Sequence, residues 1–274
     1  MFRIIWLQDK PVSRGPVLPT LALDHGQSFD LDATLSCGQV FRWDRKDDGW
    51  WYGIVGDQVI RIRQNGGRLT YTGAPAPFIR HYFALDLDLG AILSSIDRDP
   101  FIHACIRKHR GLRLVRQPPW ECTLSYICAT NSNIPTIRRR IAAIAQKYGR
   151  AVKRGGVTYY TFPGPASIAG KGHDALAECR LGYRQPYVLG TSCSITDVEC
   201  WEEELRRLPY DEAGRELMKL HGIGKKAADC ILLFAFQKYD AFPVDVWIRR
   251  IMQEHYLPDL SPDTPLTNRE YVTI

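Results

Sequence analysis

The chain has 274 residues, enough to bury one or two cores, and a composition of 45% hydrophobic and 24% charged residues is that of a globular protein. No low-complexity tract dilutes its aromatics, which excludes extended disorder, and no apolar run approaches the roughly 20 residues of a membrane span. The formal charge of +6 is too modest to name a partner: positive charge gathers at 107–116 and 138–140 and acidic residues near 197–212, so a phosphate-binding face and an ordinary solvated surface both stay open.

The opening MFRIIWLQDK has one apolar cluster, with no signal-peptide core or cleavage site after it, so a soluble, intracellular protein is expected. Segments near 28–32, 39–43, 50–55, 58–63 and 68–72 then read as strands. Asp47-Asp48-Gly49, Gly56-Asp57 and Asn65-Gly66-Gly67 supply the turns between them. Short strands and tight turns predict an antiparallel sheet with helices on one face. From about residue 78 the pattern is helical. Ala91, Ile92 and Ile96, then Phe101, Cys105 and Ile106, have helical spacing, and a longer helix is predicted over 135–148 with Ile137, Ile141, Ile144 and Ala145 on one side. Further helices are predicted near 120–129, 173–179, 184–191, 197–207, 211–220, 225–237 and 245–255. The fold class is α+β: an N-terminal antiparallel β-sheet region followed by an all-α region. The eight cysteines, at 37, 105, 122, 128, 179, 193, 200 and 230, contain no C-x-x-C pair and are expected to be reduced, mostly buried hydrophobes.

The most informative stretch is LMKLHGIGKKAADCILL, residues 217–233. One helix ends near Leu220, Gly222 and Gly224 follow, and another helix starts at once. Glycines permit a tight turn and close approach of a ligand, and the free N–H groups of the new helix favour an anion. A phosphate clamp is one reading, and a plain corner between two helices is the other. On the second helix Lys226, Cys230 and Leu233 share one face at i, i+4 and i+7, whereas Lys225 stands one turn before Asp229, where an exposed ion pair would be unremarkable. The cysteine and leucine below Lys226 suggest partial desolvation, which would favour a neutral, nucleophilic amine; a snorkelling surface lysine is the bland alternative. Asp245 follows Lys226 by 19 positions, in AFPVDVWIRR. It suits a helix cap, and equally a rigidly held carboxylate aimed at the pocket of the lysine.

HGIGKKAADC followed by FPVDVWIRRI resembles the helix-hairpin-helix, Gly/Pro-rich, Asp-containing signature of base-excision DNA glycosylases, and within that superfamily the 8-oxoguanine DNA glycosylases. The resemblance implies that Lys226 is the catalytic nucleophile, Asp245 its partner, and Gly222 and Gly224 the DNA-binding hairpin, within a hairpin unit spanning 211–237. LSCGQVFRW, 35–43, is similar to a segment whose glycine carbonyl reads the oxidised base, which puts base recognition on Gly38, with Cys230 beside it. WECTLSYICATNSNI, 120–134, resembles the segment whose first asparagine fills the space of the flipped base, here Asn131. LGYRQPYV, 181–188, resembles the segment that carries a wedging tyrosine and an arginine contacting the widowed cytosine, here Tyr183 and Arg184.

These matches imply a bifunctional glycosylase and abasic-site lyase acting as a monomer on double-stranded DNA with 8-oxoguanine opposite cytosine, and making no use of membranes. No cofactor is required. A structural cation at the hairpin is implied, held by the backbone carbonyls of Met218, Leu220 and Ile223. An iron–sulfur cluster, usual in the endonuclease III and adenine-glycosylase branches, is not expected, because no cysteine follows Cys230. The alkyladenine branch shares the sheet but lacks the lysine, and a non-catalytic helix-hairpin-helix module needs neither Lys226 nor Asp245. Three domains follow: an extension over 1–27 without clear counterpart, a sheet domain over 28–115, and a helical glycosylase domain over 116–274. Trp247 stands where the family often has a phosphate-contacting histidine, and Thr136 where an arginine often helps read cytosine. The last residues, 271–274, resemble the start of a further helix, and family members continue into a segment that closes around the flipped base.

Overall fold

A computed structural model describes residues 18–24 and 27–257, apart from the side chains of His173 and Asp174. Most of the 1–27 extension and the helix expected at 271–274 lie outside the described residues.

Five antiparallel strands form the first layer, in the order β1 (Thr20–Ala22), β5 (Arg68–Thr72), β4 (Gln58–Asn65), β3 (Trp51–Val55), β2 (Trp43–Arg45). The turn residues act where the sequence predicts: Gly56-Asp57 links β3 to β4 with Val55 opposite Gln58, and Gly66-Gly67 links β4 to β5 with Asn65 opposite Arg68. Period-two alternation turns Ile60, Ile62, Leu69 and Tyr71 into a core with Leu31, Leu35, Ile79 and Phe83. Two strand expectations are corrected. Residues 28–32 lead into helix α1 (Leu31–Ser36), because the Asp30 carboxylate accepts the Ala33 N–H at 2.8 Å and caps a helix whose Leu31, Thr34 and Leu35 face inward. Of 39–43 only Trp43 enters a strand; Gln39 is buried and ties the backbones of Thr34, Arg113 and Val115 together. Conversely, Thr20–Ala22, assigned to the extension, pairs with β5 and buries Leu21, a strand too short to show alternation.

Helices α2 (Ala76–Tyr82), α3 (Leu89–Ile96) and α4 (Pro100–His109) follow the sheet. The second core gathers around α5 (Pro119–Ala129), buried on nearly every side, with α6 (Ile134–Tyr148), α8 (Gln185–Thr196) and α11 (Lys225–Phe236). On α6 the predicted stripe of Ile137, Ile141, Ile144 and Ala145 is the buried one. The first core ends at Val115, and the second begins at Trp120 apart from Phe41, which crosses into it. Gln117 joins them: its N–H donates to Phe234 O at 2.9 Å and its amide to Gln39 O at 2.7 Å. A hairpin of β6 (Ala151–Arg154) and β7 (Val157–Tyr160) lay unrecognised in the sequence, although Gly155-Gly156 between β-branched and aromatic residues is a hairpin signal. α7 (Pro165–Ala169), α9 (Trp201–Arg207), α10 (Tyr210–Met218) and α12 (Val246–His255) complete the helical part, with 3₁₀ turns at His173–Cys179 and Gly182–Arg184.

Half of the eight cysteines are buried; Cys37, Cys105 and Cys200 are exposed, correcting the expectation that most lie inside. The basic run 107–116 also divides. Arg113 is 3% exposed and donates to the carbonyls of Ser28, Ala84 and Leu87, and Arg116 pairs with Asp86 at 2.7 Å, so both are structural. Among the described residues no helix is long and apolar enough to cross a membrane.

Candidate active-site cleft

α10 stops at Met218, and α11 begins at Lys225 with Gly224 as its cap. Gly222 is irreplaceable in the turn between them. Its φ is +80°, and a Cβ there would sit 2.6 Å from the Tyr187 ring. A Cβ on Gly224 would meet nothing within 4 Å, so its missing side chain leaves the helix N-terminus open to a ligand. Gly222→Ala is therefore expected to cost about 1–3 kcal/mol from the left-handed backbone alone, with a further loss from the Tyr187 contact. A lowered Tm together with weakened duplex binding in an anisotropy titration would show it; an unchanged Tm would contradict it.

The two adjacent lysines have opposite surroundings. Lys225 Nζ lies 2.6 Å from Asp229 Oδ1 and also bonds to Tyr210 Oη, which itself donates to Asp229 at 2.7 Å. Burial works against the Lys225 charge, but these bonds outweigh it and hold its ammonium above the ordinary range. The expected i, i+4 pair exists, yet Asp229 is only 4% exposed, because Tyr210 of α10 covers it. Lys226 has no carboxylate partner among the described residues. Its Nζ stands 5.3 Å above the Tyr126 ring, and it bonds to Cys230 below. Burial pushes the Cys230 thiol up, against the pull of Lys226, so Lys226 meets a neutral thiol. The expected desolvation is corrected: Lys226 is exposed, since the Cys230 face is covered and the opposite side opens into a cleft.

That cleft measures about 600 Å³ and is lined by Lys226, Asp245, Asn131, Gly222, Gly224 and Tyr126, among others. Asp245 caps α12, its Oδ1 accepting the N–H groups of Trp247 and Ile248 at 2.9 Å each, and its carboxylate is exposed to the cleft. Val246 and Trp247 follow, 61% and 68% exposed, an uncovered apolar edge suited to a partner surface.

Asn131, Tyr183 and Arg184 converge on the loop at 130–133. Asn131 adopts φ +46°, a conformation asparagine tolerates, and its amide donates to Tyr183 Oη at 3.4 Å. Arg184 lies 4.2 Å over the Tyr183 ring, and Tyr183, half exposed, meets Tyr187 edge-on. Arg184 is 3% exposed, with its Nε donating to Thr130 O at 2.9 Å and its Nη2 to Thr130 O and Asn131 O. To meet a base edge it must exchange some of these bonds. Gly38, at φ +93°, packs on Ile134, and neither it nor Cys230 lines the cleft. Sequence reasoning missed Tyr126 and Tyr210, because nothing in a uniformly buried α5 or in the pattern of α10 marks which side chain will meet a lysine.

Among the described residues no group of three or more His, Cys, Asp or Glu could hold a metal ion. The Leu220 carbonyl accepts the Ile223 N–H at 3.3 Å, and at the end of α10 the Glu216 and Leu217 carbonyls accept the Lys219 and Leu220 N–H groups at 3.2 and 3.1 Å.

Residues 21–123 match the family model described as 8-oxoguanine DNA glycosylase, N-terminal domain. The chain is 31% identical over 259 residues to a probable N-glycosylase/DNA lyase of Methanothermobacter thermautotrophicus, covering 82% of this chain and 81% of that protein. The crystal structure of apo Clostridium acetobutylicum 8-oxoguanine glycosylase/lyase matches at 34% identity and a TM-score of 0.81, over 85% of this chain and 84% of that one. The same Clostridium enzyme in complex with double-stranded DNA containing cytosine opposite 8-oxoG matches at 33% identity and a TM-score of 0.82, over 87% and 82%.

Proposed function

The chain belongs to the 8-oxoguanine DNA glycosylase/lyase family, and from that premise we propose that it excises 8-oxoguanine from duplex DNA opposite cytosine through a covalent intermediate on Lys226. It is a bifunctional N-glycosylase and DNA lyase. One observation supports the assignment of roles: both adjacent lysines line the cleft that holds Asn131 and the capping Asp245, and of the two only Lys226 has no carboxylate partner among the described residues.

A base inside a duplex is unreachable, so the nucleotide must be extruded. Tyr183 supplies an exposed planar wedge, Asn131 a polar filler for the vacated space, and Arg184 donors for the orphaned cytosine. The Gly222–Gly224 turn and the α11 N-terminus grip a backbone phosphate. The family resemblance assigns reading of the flipped base to Gly38 and Cys230, and since neither lines the cleft, that role requires the base to reach past its present walls. The Lys226 Nζ lone pair attacks the sugar C1′; the N–C1′ bond forms as the bond to the base breaks, and the base leaves with the electron pair and takes up a proton. The new ammonium then loses one of its two protons, and the nitrogen lone pair expels the sugar ring oxygen, which takes up a proton, to give the protonated Schiff base. Removal of a C2′ proton then expels the 3′ phosphate and nicks the strand. Asp245 stabilises the cationic sugar as the base departs. A cation held by the carbonyls of Met218, Leu220 and Ile223 would neutralise charge on a bound phosphate; the Leu220 oxygen keeps one lone pair for it.

Borohydride trapping on an 8-oxoguanine·cytosine duplex tests the reading. A covalent protein–DNA complex is expected, and intact DNA binding without one would overturn the lyase assignment. Thr136, whose hydroxyl accepts from Arg139 at 3.1 Å, cannot supply a guanidinium to cytosine. Preference for cytosine over adenine is therefore expected to rise about tenfold in Thr136→Arg, since a bidentate contact discriminates by about 1–3 kcal/mol. Excision rates opposite all four bases measure it, and an unchanged ratio would refute it.

A further inference from the structure

A second and larger concavity lies between the sheet, α6 and the β6–β7 hairpin, away from the excision chemistry. It measures about 940 Å³, near the upper end of the roughly 300–1,000 Å³ of small-molecule sites. Its walls are built, not incidental. Arg150 at the foot of the hairpin pairs with Asp57 of the β3–β4 turn at 2.8 Å, and Arg42 donates to Tyr160 O. Gly149 packs so tightly that a Cβ would sit 1.9 Å from Thr161 O.

The lining combines an apolar part that includes Phe41, Ile54 and Val59 with the tyrosines Tyr52, Tyr159 and Tyr160. Around these stand Arg42, Lys46, Arg61, Arg138, Arg139 and Arg154, against the single carboxylate of Asp44. Three of the cations are paired: Arg42 with Glu121 at 2.9 Å, Arg138 with Asp44 at 3.2 Å and Arg61 with Asp48 at 3.4 Å. Lys46, Arg139 and Arg154 have no carboxylate partner among the described residues. Moreover, the buried Nε atoms of Arg61 and Arg138 find no acceptor; among the described residues only Arg113 Nη2 shares that condition. These Nε atoms are closed to solvent and so do not meet a ligand; the three cations without a carboxylate partner, beside three tyrosines at one cavity, are what suit an anionic ligand with an aromatic base.

We propose that this cavity binds a nucleotide, its phosphate on Lys46, Arg139 and Arg154 and its base against the tyrosine wall. The nucleotide is either free or part of the strand flanking the lesion. The second source is within reach: Ser132 lines the cleft, the next residue Asn133 caps α6, and Arg139 lies six residues on from that cap, about 9 Å along the axis.

The test uses the full chain and Lys46→Ala/Arg154→Ala, both exposed positions outside the excision machinery. Fluorescently labelled dATP is titrated first, with inorganic pyrophosphate as competitor. A free-nucleotide site gives saturable binding, at least tenfold weaker in the double variant and poorly competed by pyrophosphate. A flanking-strand site gives weak dATP binding, but a tenfold loss of affinity for a 30-base-pair duplex with none for an 11-base-pair duplex centred on the lesion. Excision from the short duplex stays unchanged in both cases, which controls for folding. Equal affinities of the two proteins for dATP and for the long duplex would overturn the site, and pyrophosphate binding as tightly as dATP would overturn the stacking wall.

Discussion

Lys226→Gln is expected to abolish excision, by a factor on the order of 10⁴ or more in the single-turnover rate, while Lys225→Gln retains most of it. The asymmetry follows from the partners. Lys225 is held by Asp229 and Tyr210, so its amine is neither neutral nor free to approach a sugar. Lys226 lies over the Tyr126 ring, bonds to the Cys230 thiol and has no carboxylate partner among the described residues. Loss of Lys225 instead acts on stability. Asp229 keeps only its Tyr210 bond, at a cost of about 1–2 kcal/mol, the partial exposure of Lys225 moderating the charge effect. Single-turnover excision, borohydride trapping and a thermal melt on both variants separate the effects. Equal loss of excision in the two would overturn the assignment of Lys226.

Asp245→Asn is expected to slow excision by roughly 10²- to 10⁴-fold with little change in stability. Asp245 does two things at once: it bonds Trp247 and Ile248 at the start of α12 and carries a charge into the cleft. Asparagine caps about as well as aspartate, so the first function survives and the second is lost. Asp245→Ala should lose both, adding about 0.5–2 kcal/mol of destabilisation. A wild-type excision rate in Asp245→Asn would leave Asp245 as a cap and nothing more.

Much of this was legible in the residues because the relevant physics is local. Glycine-bracketed turns gave the hairpins of the sheet, and helical phase separated Lys226 from Lys225. The aspartate before VWIRRI was readable as a cap. Where competing local signals met, reading failed: Phe29 and Leu31 are both buried, as in a strand, yet Asp30 between them starts a helix. Gly155-Gly156 was as plain a hairpin signal as Gly66-Gly67 and was overlooked in a helical context.

By itself, then, the sequence determined the α+β class, the helix-hairpin-helix turn, and the pairing of Lys225 with Asp229, all set by contacts within a few residues. Only the tertiary structure decided which groups surround those elements. It placed Tyr126 of α5 under Lys226, covered Asp229 with Tyr210, buried Arg113 and Arg184 on backbone carbonyls, and raised a cationic cavity between the sheet and α6. Each of these joins residues distant along the chain, and a side chain's exposure and charge partners belong to the packed whole and cannot be read from its neighbours in sequence.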